Sequence, residues 1–304
     1  MTDRYTNLLA RVEAGDIVMI DGGTGTEMER RGISRHRNAW TGGAALSHPD
    51  IVRQVHVDYI ETGANLIIAN TFATHRSALR DAECVDDFEA LNRRSVELAL
   101  EARELTGDDK VAVAAGISYW TWTGNPPPLD DLERDAAQQA EILAAAGAEL
   151  IILEMMTDVD RMQCLLRAVQ PTGLPVWVGL TVGANDGSVP DPDVMTLRDG
   201  TLLSDAIKML EPYDIDLVAI MHTDVELIDQ CLDVIVDQWE GPVGVYAHSG
   251  TFVDGIRSYN DVISPADYAE LCRRWVGRGA QVVGGCCGIR PDHMRLIAGL
   301  DSVT

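Results

Sequence analysis

The 304-residue sequence predicts an α/β fold, closed as a single (β/α)8 TIM barrel over residues 1–304. Three observations carry that expectation: eight short apolar runs rich in β-branched residues, amphipathic segments between successive runs, and no change of composition that would mark a linker. Nearly continuous apolar runs are the pattern of strands covered on both faces. At 46% hydrophobic, the chain can bury a core of that size.

In chain order the runs are Asp16 to Gly23 (DIVMIDGG), Ala64 to Phe72 (ANLIIANTF), Val111 to Ser118 (VAVAAGIS) and Glu149 to Met156 (ELIILEMM). Pro175 to Val182 (PVWVGLTV), Asp216 to His222 (DLVAIMH), Pro242 to Ser249 (PVGVYAHS) and Ala280 to Cys287 (AQVVGGCC) complete the set. Helical spacing fills the gaps, as in DIVRQVHVDYIETG, DLERDAAQQAEILAAAG, TDVELIDQCLDVIVDQW and SPADYAELCRRWVGRG. Asp50, Asp158 and Ser264 suit helix starts, because a side-chain oxygen there accepts from unpaired backbone N–H groups; Gly63, Gly147 and Gly277 suit stops. A doubly wound open sheet competes with the barrel, but its glycine-rich phosphate turn after the first strand is missing, since DGGTGTEM is not a G-x-G-x-x-G.

The formal charge of −24, from 24 basic against 48 acidic residues, argues against nucleic acid or an anionic membrane as partner. Lys110 and Lys208 are the only lysines, and acidic loops such as GANDGSVPDPD suit a saline or osmolyte-rich setting. No stretch approaches the roughly 18 apolar residues of a membrane span, and the start MTDRYTNLLARVEAGD lacks the basic-then-apolar pattern of a secretion signal. A cytoplasmic protein with reduced thiols is expected, and homo-oligomerisation is left open.

Active sites of such barrels lie at the C-terminal strand ends. Those ends offer Asp21, Asn70 with Thr71, Ser118, Glu154, Thr181, His222, His248, and Cys286 with Cys287. Neighbouring residues in a regular strand point to opposite faces, so adjacent cysteines share a metal only where the strand ends and the backbone turns. Gly284, Gly285 and Gly288 permit that turn. Zinc takes sulfur and imidazole nitrogen, with three protein ligands and one open position in a catalytic site. His222 and His248 are the nearest strand-end donors, whereas Cys84, Cys164, Cys231 and Cys272 fall on helices or loops and suit packing.

The stretches DGGTGTEME, AWTGGAALSHPDIVRQVHVDYIETGANLIIANTF, GAELIILEM, VYAHSG and GGCCGIRPDHM resemble the zinc-dependent homocysteine S-methyltransferase family along essentially the whole chain. The resemblance implies that Cys286 and Cys287 are two of three zinc ligands, that Asp21 and Glu154 hold an amino acid acceptor, and that Trp40 lies near the methyl donor. It also marks departures. His222 stands where the family has a cysteine, Tyr246, Ala247 and His248 replace a Tyr-Pro-Asn sequence, Met155 follows Glu154, and AGISYWTWTG ends the third strand. Both strand-end changes introduce a metal-competent imidazole while the thiols remain, which favours a rebuilt site over a dead one.

The expected chemistry is methyl transfer from a sulfonium or quaternary ammonium donor to a small-molecule thiol, with homocysteine the acceptor the resemblance implies. An onium charge suits aromatic faces, so Trp40, Phe72, Trp120 and Trp122 are donor-site candidates, with Thr71 at the same mouth. Two other classes fit the residues: a zinc hydrolase or lyase with Glu154 as general base, and a noncatalytic protein that binds an onium osmolyte.

Overall fold

The computed structural model describes residues 2–183, 194–253 and 256–300. The acidic loop GANDGSVPDPD therefore lies, past its first glycine, outside the described residues. The strands are β1 (Val18–Met19), β2 (Leu66–Ala69), β3 (Ala112–Ile117), β4 (Leu150–Met156), β5 (Val176–Leu180), β6 (Leu217–Asp224), β7 (Val243–His248), β8 (Thr251–Val253), β9 (Ile256–Ser258) and β10 (Val282–Val283). Eight of them form one parallel sheet in the order β1-β10-β7-β6-β5-β4-β3-β2. A parallel bridge between Ile20 and Leu66 joins its two edges. Asn65 reinforces this seam: its backbone N–H donates to Met19 O at 2.7 Å and its Oδ1 accepts from Met19 N at 3.0 Å. The result is the (β/α)8 barrel that the alternating pattern predicts.

Alternation along each strand divides the core in two. Leu66, Ile68, Ala112, Ala114, Leu150, Ile152, Trp177, Leu217 and Ala219 form one cluster, joined by Tyr5, Leu8 and Val12 of the N-terminal helix Asp3–Glu13. Their neighbours Ile67, Val113, Ile151, Val178, Val218 and Ile220 pack with the surrounding helices. The N-terminal helix closes the end of the barrel opposite the strand tips. Trp177 Nε1 donates to Tyr5 Oη at 2.9 Å, and that hydroxyl donates to Asp216 Oδ2 at 2.7 Å.

Asp158 and Ser264 cap their helices, accepting from Arg161 N at 2.9 Å and Asp267 N at 3.2 Å. Asp50 does not: the helix starts at Pro49, which places Asp50 in the first turn, where its charge opposes the positive end of the helix dipole. Gly147 (φ +105°) and Gly63 (φ +102°) end helices in the left-handed region. Gly277 remains helical, and Gly279 (φ +105°) makes the turn instead.

The antiparallel hairpin β8–β9, which follows β7, is absent from the sequence reading. Its signal was available. Asp-Gly at 254–255, between Val253 and Ile256, is the dipeptide that favours a two-residue hairpin turn. Among the described residues no helix is long and apolar enough to cross a membrane.

A buried ion pair ties the strand starts to the helices around them. Glu149, 3% exposed, accepts from Val113 N and Arg103 Nη1 at 2.8 Å each through Oε2, and from Arg4 Nη1 at 3.2 Å through Oε1. Glu149→Ala leaves Arg103 without its buried partner and should cost about 3 kcal/mol. Urea denaturation should show a lower midpoint with an unchanged slope.

Candidate metal and substrate site

Regular pairing in β10 ends at Val283; Gly284 to Cys286 still hydrogen-bond to the neighbouring strands, and the chain turns at Cys287 and Gly288. Cys286 N donates to Ala247 O at 2.9 Å, and Cys287 O accepts from Ser249 N at 3.1 Å, so both ends of the thiol pair are pinned to β7 and the residue that follows it. Gly288 adopts φ +85°, and a Cβ there would overlap Ser249 O. Released from strand geometry, the two Sγ atoms lie 3.8 Å apart on one side of the chain.

His222 supplies a third donor, its Nδ1 3.4 Å from Cys286 Sγ. The residue sits where the β6–β7 register slips between Met221 and Asp224, and its φ of +44° is left-handed. The three donor atoms all lie within 4.8 Å of one another. Two sulfurs bound tetrahedrally at about 2.3 Å from zinc are roughly 3.8 Å apart, so the thiol pair already spans one edge of such a site. Two thiols and an imidazole also match zinc's ligand preferences. Burial, with His248 beside it, lowers His222 to about 4, so its ring is neutral at pH 7 and keeps a lone pair. The hydrogen bond between the thiols separates their acidities: it raises Cys286 and lowers Cys287 below the usual thiol range, with burial opposing the second shift and His222 assisting it.

His248, expected at the metal from its strand-end position, is not a member of this donor group. Its ring packs edge-on to His222, with centroids 4.4 Å apart, and its Nε2 lies 2.8 Å from Asp224 Oδ1. Burial tends to raise Asp224, but hydrogen bonds from His248 and Arg257 hold it well below the usual carboxylate range.

Above the donors lies a cavity of about 580 Å³, lined by Asp21, Glu154, Tyr246, the three donors and an aromatic wall. Asp21 Oδ2 accepts from Ile68 N at 2.8 Å; burial, together with Glu154, pushes the carboxyl well above its ordinary value despite that bond. Burial, with Cys287 nearby, raises Glu154 to about 8. Gly116 on β3 makes room for it, because a Cβ there would overlap Glu154 Oε2. Trp40, Phe72 and Trp122 form the wall, with Trp40–Phe72 and Phe72–Trp122 centroids 6.2 and 6.3 Å apart and both pairs edge-to-face. Trp40 is held by its Nε1–H, which donates to Glu29.

Two candidates behave differently from expectation. Thr71 is fully buried outside the cavity lining, its hydroxyl donating to Gly116 O at 2.7 Å; the neighbouring Asn70 lines the cavity instead. Trp120 lines the cavity, but the Arg198 guanidinium lies over its ring, 5.2 Å from the centroid, and occupies one face. The cavity also takes Arg257 and Tyr259, from the hairpin and the segment after it, which the sequence reading did not single out.

A family model for homocysteine S-methyltransferase matches residues 18–300. The chain belongs to the homocysteine S-methyltransferase family. Two similar curated proteins are a selenocysteine methyltransferase from Astragalus bisulcatus, 27% identical over 93% of this chain and 92% of its own length, and homocysteine S-methyltransferase 4 from Zea mays, 28% identical over 94% and 90%. Among solved structures, the metallated form of the homocysteine methyltransferase MmuM from Escherichia coli shares the fold, with a TM-score of 0.78 and 22% identity over 95% of this chain and 98% of that one. By family the protein is a methyltransferase.

The raised Glu154 carboxyl makes a testable contribution to stability. Its folded value of about 8 exceeds the ordinary 4.5, so the contribution is present below about pH 4.5 and is lost as pH rises through 8. In the metal-free protein, Glu154→Gln should therefore gain stability relative to the parent by up to about 1.4 kcal/mol per pH unit between pH 5 and 8. Denaturant unfolding at both ends of that range checks it, and a pH-independent difference would contradict it.

Proposed function

We propose that the protein is a zinc-dependent S-methyltransferase that moves a methyl group from an onium donor to a small-molecule thiol, with homocysteine as acceptor and methionine as product. The observation that carries this reading is the convergence of two thiols and an imidazole at the base of one cavity that also holds buried carboxylates and an aromatic wall. Cys286, Cys287 and His222 would hold the zinc ion. When bound, zinc supplies a Lewis acid that lowers the pKa of an incoming thiol from its ordinary value of about 8.5, so that the thiolate is available at neutral pH.

The chain's own residues account for the remaining requirements. Asp21 and Glu154 face the cavity as buried carboxyls, suited to the ammonium of an amino acid acceptor; ion pairing there would ionise them where burial alone keeps them protonated. Trp40, Phe72 and Trp122 present rings to a positively charged donor. In-line displacement forms a carbon–sulfur bond to the acceptor as the methyl–sulfonium or methyl–ammonium bond breaks; the donor leaves as a neutral thioether or amine, and the acceptor's proton goes to solvent. The six free cysteines suit a reducing compartment, which supports a cytoplasmic location.

Zinc content and turnover test the proposal together. The purified protein should carry about one zinc per chain, and Cys286→Ser, Cys287→Ser and His222→Ala should each lose metal and methyl transfer in parallel, with activity down at least about 100-fold. Zinc-free material that methylates homocysteine at an undiminished rate would sink the reading.

His222 also bears on the donor. A neutral imidazole in place of a third thiolate withdraws one negative charge from the ligand set, which makes the attacking sulfur less electron-rich. Sulfonium donors should therefore turn over faster than betaine, and a higher kcat/KM with betaine than with any sulfonium would overturn that expectation.

A further inference from the structure

The His222 backbone lies in the left-handed region, at a cost of about 1–2 kcal/mol for a non-glycine residue, so neighbouring structure must hold it there. Register shows how the strand reaches this state. Met221 pairs with Tyr246 and Asp224 with His248, so β6 advances three residues while β7 advances two. The extra residue is a bulge. It turns the His222 ring toward Cys286 and brings the Asp224 backbone opposite that of His248.

Side chains then close the arrangement. Arg257, delivered by the β8–β9 hairpin, binds Asp224 in a bidentate fork, Nη1 to Oδ1 at 2.5 Å and Nη2 to Oδ2 at 3.0 Å. The same Oδ1 lies 2.8 Å from His248 Nε2. His248, 1% exposed, in turn packs its ring against His222 at an interplanar angle of 78°. A carboxylate fixed at both oxygens sets the tautomer and ring plane of His248, because Nε2 must carry the proton.

We infer that Arg257, Asp224 and His248 are positioning residues for His222, a relay that runs from the half-buried Asp224–Arg257 pair to the buried His248 ring and holds the His222 Nδ1 toward Cys286 Sγ. The inference rests on the metal reading of the site; the link to His222 is the edge-on packing of the His248 ring, which limits the rotation of the His222 ring. None of the three belongs to the donor group itself. Through Arg257, which also lines the cavity, the relay connects the substrate wall to the third ligand.

Zinc affinity, measured by competition with a chromophoric chelator, tests the relay without any assay of turnover. Asp224→Asn and His248→Gln should weaken zinc binding by about 10–100-fold and shift the visible bands of the cobalt(II)-substituted protein. In a His222→Ala background, where the two thiols keep only weak zinc binding, Asp224→Asn should leave that residual affinity unchanged, since the residue it positions is gone. Arg257→Gln, outside the barrel strands, carries the same measurement should the strand variants fail to fold. Affinity within twofold of the parent with unchanged cobalt bands overturns the relay, as does full additivity of Asp224→Asn with His222→Ala. A parent protein that binds no zinc removes the site and this inference with it, whereas a zinc-binding parent with unaffected variants removes the inference alone.

Discussion

Two sulfur atoms on adjacent residues can face the same point only where β pairing has stopped, and the site is organised around that requirement. In this chain β10 contributes two paired residues and then yields to a glycine-framed turn. The backbone groups freed from the sheet are taken up by β7 and by the turn after β1: Gly285 N donates to Asp21 O at 2.9 Å, and Gly23 N donates to Ile289 O at 2.8 Å. The thiol turn and the Asp21 turn are therefore one structure. The carboxylate expected to meet the acceptor's ammonium is built on the same hydrogen bonds that present the sulfurs.

The second organising fact is charge. The floor of the cavity gathers Asp21, Glu154, Cys286 and Cys287, all acids, in a protein already at −24. Burial resists their ionisation, which is why Asp21 and Glu154 are displaced upward. A cavity so composed favours cations, and the proposed reaction brings three kinds: a divalent metal, an ammonium and an onium. Each would offset part of the desolvation that these buried acids carry. The internal cations serve other groups: Arg198 lies over Trp120, and Arg257 pairs with Asp224.

Most of the fold was legible because a parallel barrel writes itself as apolar runs at regular spacing, and the seam between β1 and β2 follows once the sheet closes. Strand-end position correctly brought Asp21, Glu154, His222 and the cysteines to one mouth, since eight parallel strands must finish at the same face. What stayed hidden depends on single-residue offsets. Thr71 and Asn70 are neighbours, and one step of strand parity decides which of them lines the cavity. The bulge that separates the surroundings of His222 from those of His248 has no signature in hydrophobic pattern, because it falls at His222 and Thr223, past the end of the apolar run. The hairpin carrying Arg257 is signalled only by Asp-Gly, because strands of three residues are too short to show a hydrophobic pattern of their own.

The replacement of a thiol by His222 changes more than the ligand count. A cysteine at that place would be a fifth acid beside Asp21, Glu154 and the thiol pair, whereas an imidazole lowered to about 4 is neutral at pH 7 and adds no charge to the cavity. The imidazole is also larger and directional, so its ring plane must be set by neighbours where a sulfur needs only a distance. His248 and the clamped Asp224 lie on the side from which such setting is possible, and they add no net charge to it, since Asp224 is balanced by Arg257. On the proposed metal reading, the two strand-end departures that the resemblance marks, His222 and His248, are a single change in two parts: an imidazole at the metal would demand a partner for its orientation, and His248 is placed to supply one.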